Sequence, residues 1–543
     1  MMSLYSSTLL RRVFLRVVRK RRGSTVYEYA QITEHYRENG KQKNRVLEHL
    51  GPVHNQEDVD RYRKMFEKKL EIYNASAITP EDLAILPVME FGTIYAAMHV
   101  MRSSGIYRSL SSMGKYRDTT ALMIVSRIIE PSSDISLIGL SKRIYYPWWK
   151  ISVSKDAIYR CLDAITKSKE SIELAIFNTL RPDVSVVHYD LTSSYFEGRE
   201  DNDLVLFGYS RDRKRGKEQI VVGLVMADGI PIYHELWPGN TVDPKTLEST
   251  VSVLKERFHV RNTVIVADRA FGRSPSLKLL DKNLYVTAVY RWDTPYRDIL
   301  MHTEFTDSDK HGDLFIRTVD VNIEDITPDD AMKEEKELIG KRKYIAVYNP
   351  DREKSDIDDL NEKIDHVKMK MSEMSDPSDL KKSLGKLRSF VKFSNTVKMN
   401  EKRIAVLKAL AGRFMIVTNT DLSIEDVVKS YKEQWMIERS FRTIKSFLDI
   451  RPVYHSKSER IRAHVFVAIL SLLLSRLIEK KLNDETTIST AAAMLSEMKA
   501  VPVKFPSGTG VFRTESMEAN TILKRLNIPV PNKILPGTLP EMD

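Results

Sequence analysis

Val184-Ser185-Val186-Val187-His188-Tyr189-Asp190 and Thr263-Val264-Ile265-Val266-Ala267-Asp268 are two apolar runs that each end on an aspartate. Both read as buried strands with an acid at the C-terminal end. A third acid, Glu438, lies inside the amphipathic stretch from Tyr431 to Lys445. Two strand-end aspartates and a helical glutamate are the donors that a nucleic-acid enzyme with two divalent ions needs. Carboxylate oxygens suit Mg²⁺, and a pair of such ions stabilises both the attacking and the leaving oxygen of a phosphodiester.

Outward from these runs, residues 181–300 alternate strand and helix. Gln219–Met226 and Ile230–Trp237 flank the turn Asp228-Gly229, a helix is expected over Pro244–Phe258 and another over Ser274–Asp281, and Leu284–Val289 reads as a strand. Antiparallel strands leading into helix-flanked parallel ones predict an α/β fold, a mixed sheet of RNase H type. Residues 301–412 interrupt it with the strand Lys343–Tyr348 and a highly charged helical segment from Asp351 to Arg388. They are expected to form an inserted domain outside the catalytic sheet, since a structureless loop of that length is rare. The sheet resumes at Arg413–Thr418, and residues 413–485 carry the Glu438 helix. Residues 486–543 read as a C-terminal tail and a candidate dimerisation segment.

The chain of 543 residues exceeds what one core sustains, so several domains are expected. Its net charge is +11, and the first fifty residues hold eleven Lys/Arg against four Glu. That concentration is the footprint of a polyanion binder. Residues 1–54 read as a basic β-meander with turns at Arg22-Gly23-Ser24 and Glu38-Asn39-Gly40-Lys41. Residues 55–180 read as a helical domain, with Ser154 capping a helix over Lys155–Thr166. Cys161 is the only cysteine, which excludes disulfides and cysteine-rich zinc sites. The longest apolar run, Val465 to Leu474, is too short to cross a bilayer, so no membrane partner is expected.

Ser423-Ile424-Glu425-Asp426 marks a helix start. From it, Tyr431, Gln434, Glu438, Arg442 and Lys445 fall on one helical face. These residues resemble the Tyr, Arg, Glu, Lys signature of DDE transposases in the insertion-sequence-four-like group, most closely its insertion-sequence-sixteen-thirty-four branch. Gln434 stands where that signature has arginine. The blocks Ala267-Asp268-Arg269-Ala270-Phe271-Gly272, Tyr189-Asp190-Leu191-Thr192, Trp237-Pro238-Gly239-Asn240 and Ile450-Arg451-Pro452-Val453-Tyr454-His455 are similar too.

The resemblance implies that Asp190, Asp268 and Glu438 are catalytic and hold two Mg²⁺ or Mn²⁺ ions. One ion would activate water to nick DNA at the element end, and the freed 3′-hydroxyl would then attack target DNA. Tyr431 and Lys445 would grip phosphates, Gln434 takes the place of a phosphate contact, and Arg439 or Arg442 would compensate for the missing arginine. Arg19, Lys20, Arg21 and Arg22 are the DNA-binding candidates of the meander, with the loop Arg211–Lys217 as a further backbone contact. The implied partners are double-stranded DNA (terminal inverted repeats and target) and a second copy of the chain. The implied setting is a prokaryotic cytoplasm, at the nucleoid. A derived, non-catalytic DNA-binding protein and a nuclease that cuts without joining are the competing expectations.

Overall fold

The computed structural model describes residues 12–536, apart from 24, 39–40, 76–82, 148–152, 196–201, 209–217, 274–275, 330, 375, 395, 449–454 and 506–507. The chain forms two compact units. In the first, β1 (Arg12–Arg22), β2 (Thr25–Glu38) and β3 (Lys41–Val53) make an antiparallel meander, followed by α1 (Gln56–Ala75). Gly23 turns β1 into β2 at φ +66, a conformation that costs glycine nothing. The Asn39-Gly40 turn lies outside the described residues, but Glu38 and Lys41 pair on either side of it. Val59 and Tyr62 of α1 close over Leu15, Ala30 and Val53 of the sheet. Residues 55–75 therefore belong with the meander and not with the helices that follow.

The expected C-terminal tail is folded. Strands Lys499–Phe505 and Gly508–Arg513 form a hairpin flanked by Ala84–Ile85 and Ile534–Leu535. Helices Ile488–Ser496 and Met517–Arg525 pack in the second unit.

That unit begins with α2 (Gly92–Ser103), α3 (Arg117–Ile129) and α4 (Lys155–Leu180). The Ser154 hydroxyl accepts the Ala157 amide at 3.2 Å, as the cap reading requires, and α4 runs well beyond the expected end. Next come β4 (Val186–Tyr195), β5 (Gln219–Ala227), β6 (Ile230–Pro238), α5 (Asp243–Glu256), β7 (Val264–Ala267) and β8 (Leu284–Ala288). Asp228 and Gly229 both take positive φ between β5 and β6, the two-residue hairpin turn that matches strand twist. The order β6-β5-β4-β7-β8, with β7 parallel to β4 and β8 parallel to β7, is the RNase H-like arrangement.

The interrupting segment is only partly an insert. Strands β9 (Lys310–His311), β10 (Leu314–Val319) and β11 (Lys343–Tyr348) join the main sheet through β12 (Arg413–Thr418), giving nine strands in all. Tyr344, Ile345, Ala346 and Val347 are all buried, so β11 is covered on both faces and needs a central place. What stands off is residues 350–409, with a small core of its own from Leu360, Ile364, Val367, Leu380, Phe390 and Ile404. Leu360, Ile364 and Val367 form the single apolar stripe of an otherwise charged helix.

After β12 come α6 (Ile424–Lys432), α7 (Trp435–Arg442) and α8 (Ser458–Lys481). Among the described residues α8 alone is long and apolar enough to cross a membrane, and 89% of its apolar window is buried. Its neighbours are α2, α3, α4 and β6, which makes it the core helix of this unit.

Candidate active site

Tyr189 and Ala267 are the last pair of the parallel β4–β7 ladder. Asp190 and Asp268 follow directly, on strands spaced roughly 4.8 Å apart. Each carboxylate is oriented by a local amide: Asp190 Oδ1 accepts Leu191 N–H at 2.7 Å, and Asp268 Oδ1 accepts Ala270 N–H at 2.9 Å. Asp268 thereby caps a short 3₁₀ turn over Arg269–Gly272. Gly272 lies so close to β8 that a Cβ would come within 1.9 Å of the Ala288 carbonyl oxygen. Phe271, buried against the Tyr189 ring, fixes the other side of the turn.

The third acid arrives on an interrupted helix. The Ser423 hydroxyl accepts the Asp426 amide at 3.1 Å and starts α6 as expected. The single helix expected through Lys445 is instead broken at Glu433–Gln434, and α7 ends in a π-helical turn over Thr443–Phe447. Gln434 lies at the break, where its backbone amide bonds the Tyr431 carbonyl at 3.2 Å in 3₁₀ fashion. It is 5% exposed, its Oε1 meets His188 Nδ1 at 3.1 Å, and its Nε2 donates to the Tyr189 carbonyl at 3.1 Å. The residue expected to touch phosphate is thus a clamp between the helix and the strand carrying Asp190. His188 is buried at the other end of that clamp, a packed histidine as the strand alternation predicts.

One turn beyond the clamp, Glu438 is exposed. Tyr431, packed on Phe414, reports where the acids lie. Burial first, then the nearby carboxylates of Asp268, Glu438 and Asp190, push its phenol far above the usual range, with Arg269 pulling the other way. Acids from β4, the residue after β7, and α7 thus all act on one hydroxyl.

The remaining candidates divide. Arg439 donates to Glu479 at 3.3 Å and covers the Trp435 ring, so it holds α7 to α8. Arg442 is exposed, and Lys445 sits half-buried in the π turn. In the meander, Arg19 is ion-paired with Glu28, Lys20 and Arg21 are exposed, and the Arg22 side chain and the loop 211–217 lie outside the described residues. Two further cations follow the second acid. Arg269 and Arg273 both stand over the Tyr290 ring, at 5.6 and 3.9 Å. Their position in the block after Asp268 was the available signal.

The three acids offer only hard oxygen donors, a set that fits Mg²⁺ or Mn²⁺. A second cluster, Asp134 with His455 and His464, has metal-like spacing. There the Arg127 guanidinium already reaches Asp134 Oδ1 at 2.8 Å and lies 3.1 Å from His464 Nδ1, supplying the positive charge that a metal would bring. Arg127 also donates to the Leu448 carbonyl, at the end of the π turn. This network is a buried tether for the Glu438 helix.

Removing the Gln434 clamp has a definite expected result. Gln434→Leu removes the bond to the Tyr189 carbonyl and the side-chain partner of the buried His188 ring nitrogen, at about 1–3 kcal/mol. Chemical denaturation should show that loss, and DNA cleavage should fall while DNA affinity holds. Unchanged stability would mean that the two hydrogen bonds do not hold the helix.

A family profile described as "Transposase DDE domain" matches residues 197–474, and one described as "IS1634 family transposase, N-terminal domain" matches residues 15–79. No curated protein matches. Among solved structures, the piggyBac transposase synaptic complex with hairpin DNA is similar at 9% identity and a TM-score of 0.35, covering 75% of this chain and 76% of that one. The Mos1 transposase paired-end complex with left transposon end matches at 14% identity and a TM-score of 0.15, over 33% and 59%.

Proposed function

The chain belongs to the IS1634-type DDE transposases, the DNA transposases of insertion sequences, and we propose that Asp190, Asp268 and Glu438 form its catalytic, metal-holding site. The observation that carries this reading is that Asp190 and Asp268 follow the last pair of one parallel ladder while Gln434 fastens the Glu438 helix to the strand of Asp190. When bound, two Mg²⁺ or Mn²⁺ ions supply an activated water and neutralise charge on the phosphodiester under attack. The chain's own contribution is positioning. Asp190 is fixed within β4 and Asp268 at the end of β7, each by a backbone amide, and Glu438 by the Gln434 clamp. Tyr431, like any tyrosine at neutral pH, keeps its proton and can donate it in a hydrogen bond to a phosphate oxygen. Arg269, Arg442 and Lys445 hold the backbone beside the scissile bond, contacts that position DNA without reading its sequence.

Hydrolysis at the element end frees a 3′-hydroxyl, which displaces a 3′-oxygen in the target strand and joins the two DNAs. The substrates are duplexes carrying the terminal inverted repeats and the target. Two copies of the chain pair the two ends, in a prokaryotic cytoplasm at the nucleoid. A labelled duplex with the inverted repeat found beside the gene provides the test. Mg²⁺-dependent nicking at the element boundary is expected, and binding without any nicking overturns the catalytic reading.

A further inference from the structure

The meander has two unlike faces, and strand register assigns each side chain to one. Leu15, opposite Ile32, points toward α1 together with Ala30 and Val53. The acids described in this sheet share that side. Glu28 stands opposite Arg19, Glu34 opposite Val13, and Glu48 opposite Ile32. Each is neutralised there, Glu28 by Arg19, Glu34 by Arg45 at 2.6 Å, and Glu48 by Lys69 of α1.

The other face carries Arg16 opposite Gln31, Lys20 opposite Tyr27, and Val18 opposite Tyr29, with His49 and Val46 beside them on β3. Arg16, Lys20, Tyr27, Tyr29, Val46 and His49 are all exposed, and none is acidic. Arg16 and Lys20 pair with no carboxylate among the described residues. The described acids and their counter-ions thus lie on the side of α1, together with the exposed Arg21, and the open side carries Arg16 and Lys20 with two tyrosines and no described acid.

We propose that this open face is the surface that lies against duplex DNA of the element end, a reading that rests on the transposase function above. Uncompensated cations select a polyanion. A β-ribbon enters the wide major groove of B-form DNA, whereas the deep, narrow major groove of an RNA helix does not admit side chains. Arg16 and Lys20 take phosphates, and Tyr27, Tyr29 and His49 meet the groove between them. Of the cations singled out from sequence, Lys20 belongs to this surface and Arg19 and Arg21 do not.

Two double variants of the full chain with equal charge loss separate the faces: Arg16→Ala/Lys20→Ala and Arg19→Ala/Arg21→Ala. The first should weaken binding to a duplex bearing the inverted repeat by about tenfold or more. It should also flatten the salt dependence by roughly 2, at about 0.9 per lost phosphate contact. The second should move both far less. Equal losses, or a larger loss from the second, overturn the assignment. Because Cys161 is buried, Tyr29→Cys and Lys64→Cys give single accessible thiols on the open face and on α1. Cross-linking of a thiol-reactive duplex is expected only from the first, and cross-linking from Lys64→Cys alone contradicts the proposal. A wild-type chain without preference for element ends overturns the functional reading instead, and the same variants are then compared on unrelated duplex with the same expectation.

Discussion

Asp268→Asn should reduce strand cleavage at the element end by about a thousandfold or more, the scale of several kcal/mol of lost transition-state charge stabilisation. DNA affinity should stay near the wild-type value. Asp268 stands beside Asp190 at the close of the parallel ladder, and its amide-bonded oxygen already caps the turn. Asparagine keeps that cap, since its carbonyl oxygen accepts the same amide, so the variant should fold. Only the charge is lost. Asp190→Asn and Glu438→Gln should match it, and a double variant should add little, because the three act as a unit. Cleavage that survives Asp268→Asn within tenfold would mean that the acid does not belong to the site.

The second large effect is on stability. Asp134→Asn should destabilise the chain by about 3–5 kcal/mol, because it leaves the Arg127 guanidinium buried without its partner. Burial alone would raise the Asp134 carboxyl, but His464, Arg127 and His455 outweigh it and hold its titration well below 3.8. A folded-state value below the unfolded one means that the unfolded chain binds the extra proton. The contribution of Asp134 is therefore complete above about pH 4 and lost as pH falls through its lowered titration. Denaturant unfolding of wild type and variant should differ most near neutrality and converge in acid. A gap that is small at pH 7, or that widens as pH falls, contradicts the tether. Because Arg127 also holds the Leu448 carbonyl, cleavage should weaken along with stability.

Sequence made the sheet legible because an acid at the end of an apolar run has few other readings. Asp268 directly follows its strand and the Asp228-Gly229 turn lies where its residue types demand, but Asp190 does not end its strand: β4 runs on through Leu191–Tyr195, which pair with β5. Partners were less legible than elements. Lys343–Tyr348 declares itself a strand, but nothing in its six residues says that it pairs with Arg413–Thr418. Helical period placed Gln434 and Glu438 on one face, whereas Gln434 is buried against His188 and Tyr189 and the helix is interrupted between Tyr431 and Glu438. Arg439 looked available because Glu479, forty residues on, is invisible to local spacing. The meander's charge was plain, but which cations share a face depends on register, and register is set by cross-strand pairing.

The central claim, that the three acids run cutting and joining at one site, is tested most directly by strand joining. A labelled, pre-cut element end with a free 3′-hydroxyl is incubated with supercoiled plasmid and Mg²⁺, using wild type and Glu438→Gln. Wild type should transfer the label into plasmid, with Glu438→Gln and chelated samples giving none. Plasmid that is nicked but unlabelled, or label transferred equally by Glu438→Gln, would contradict the claim.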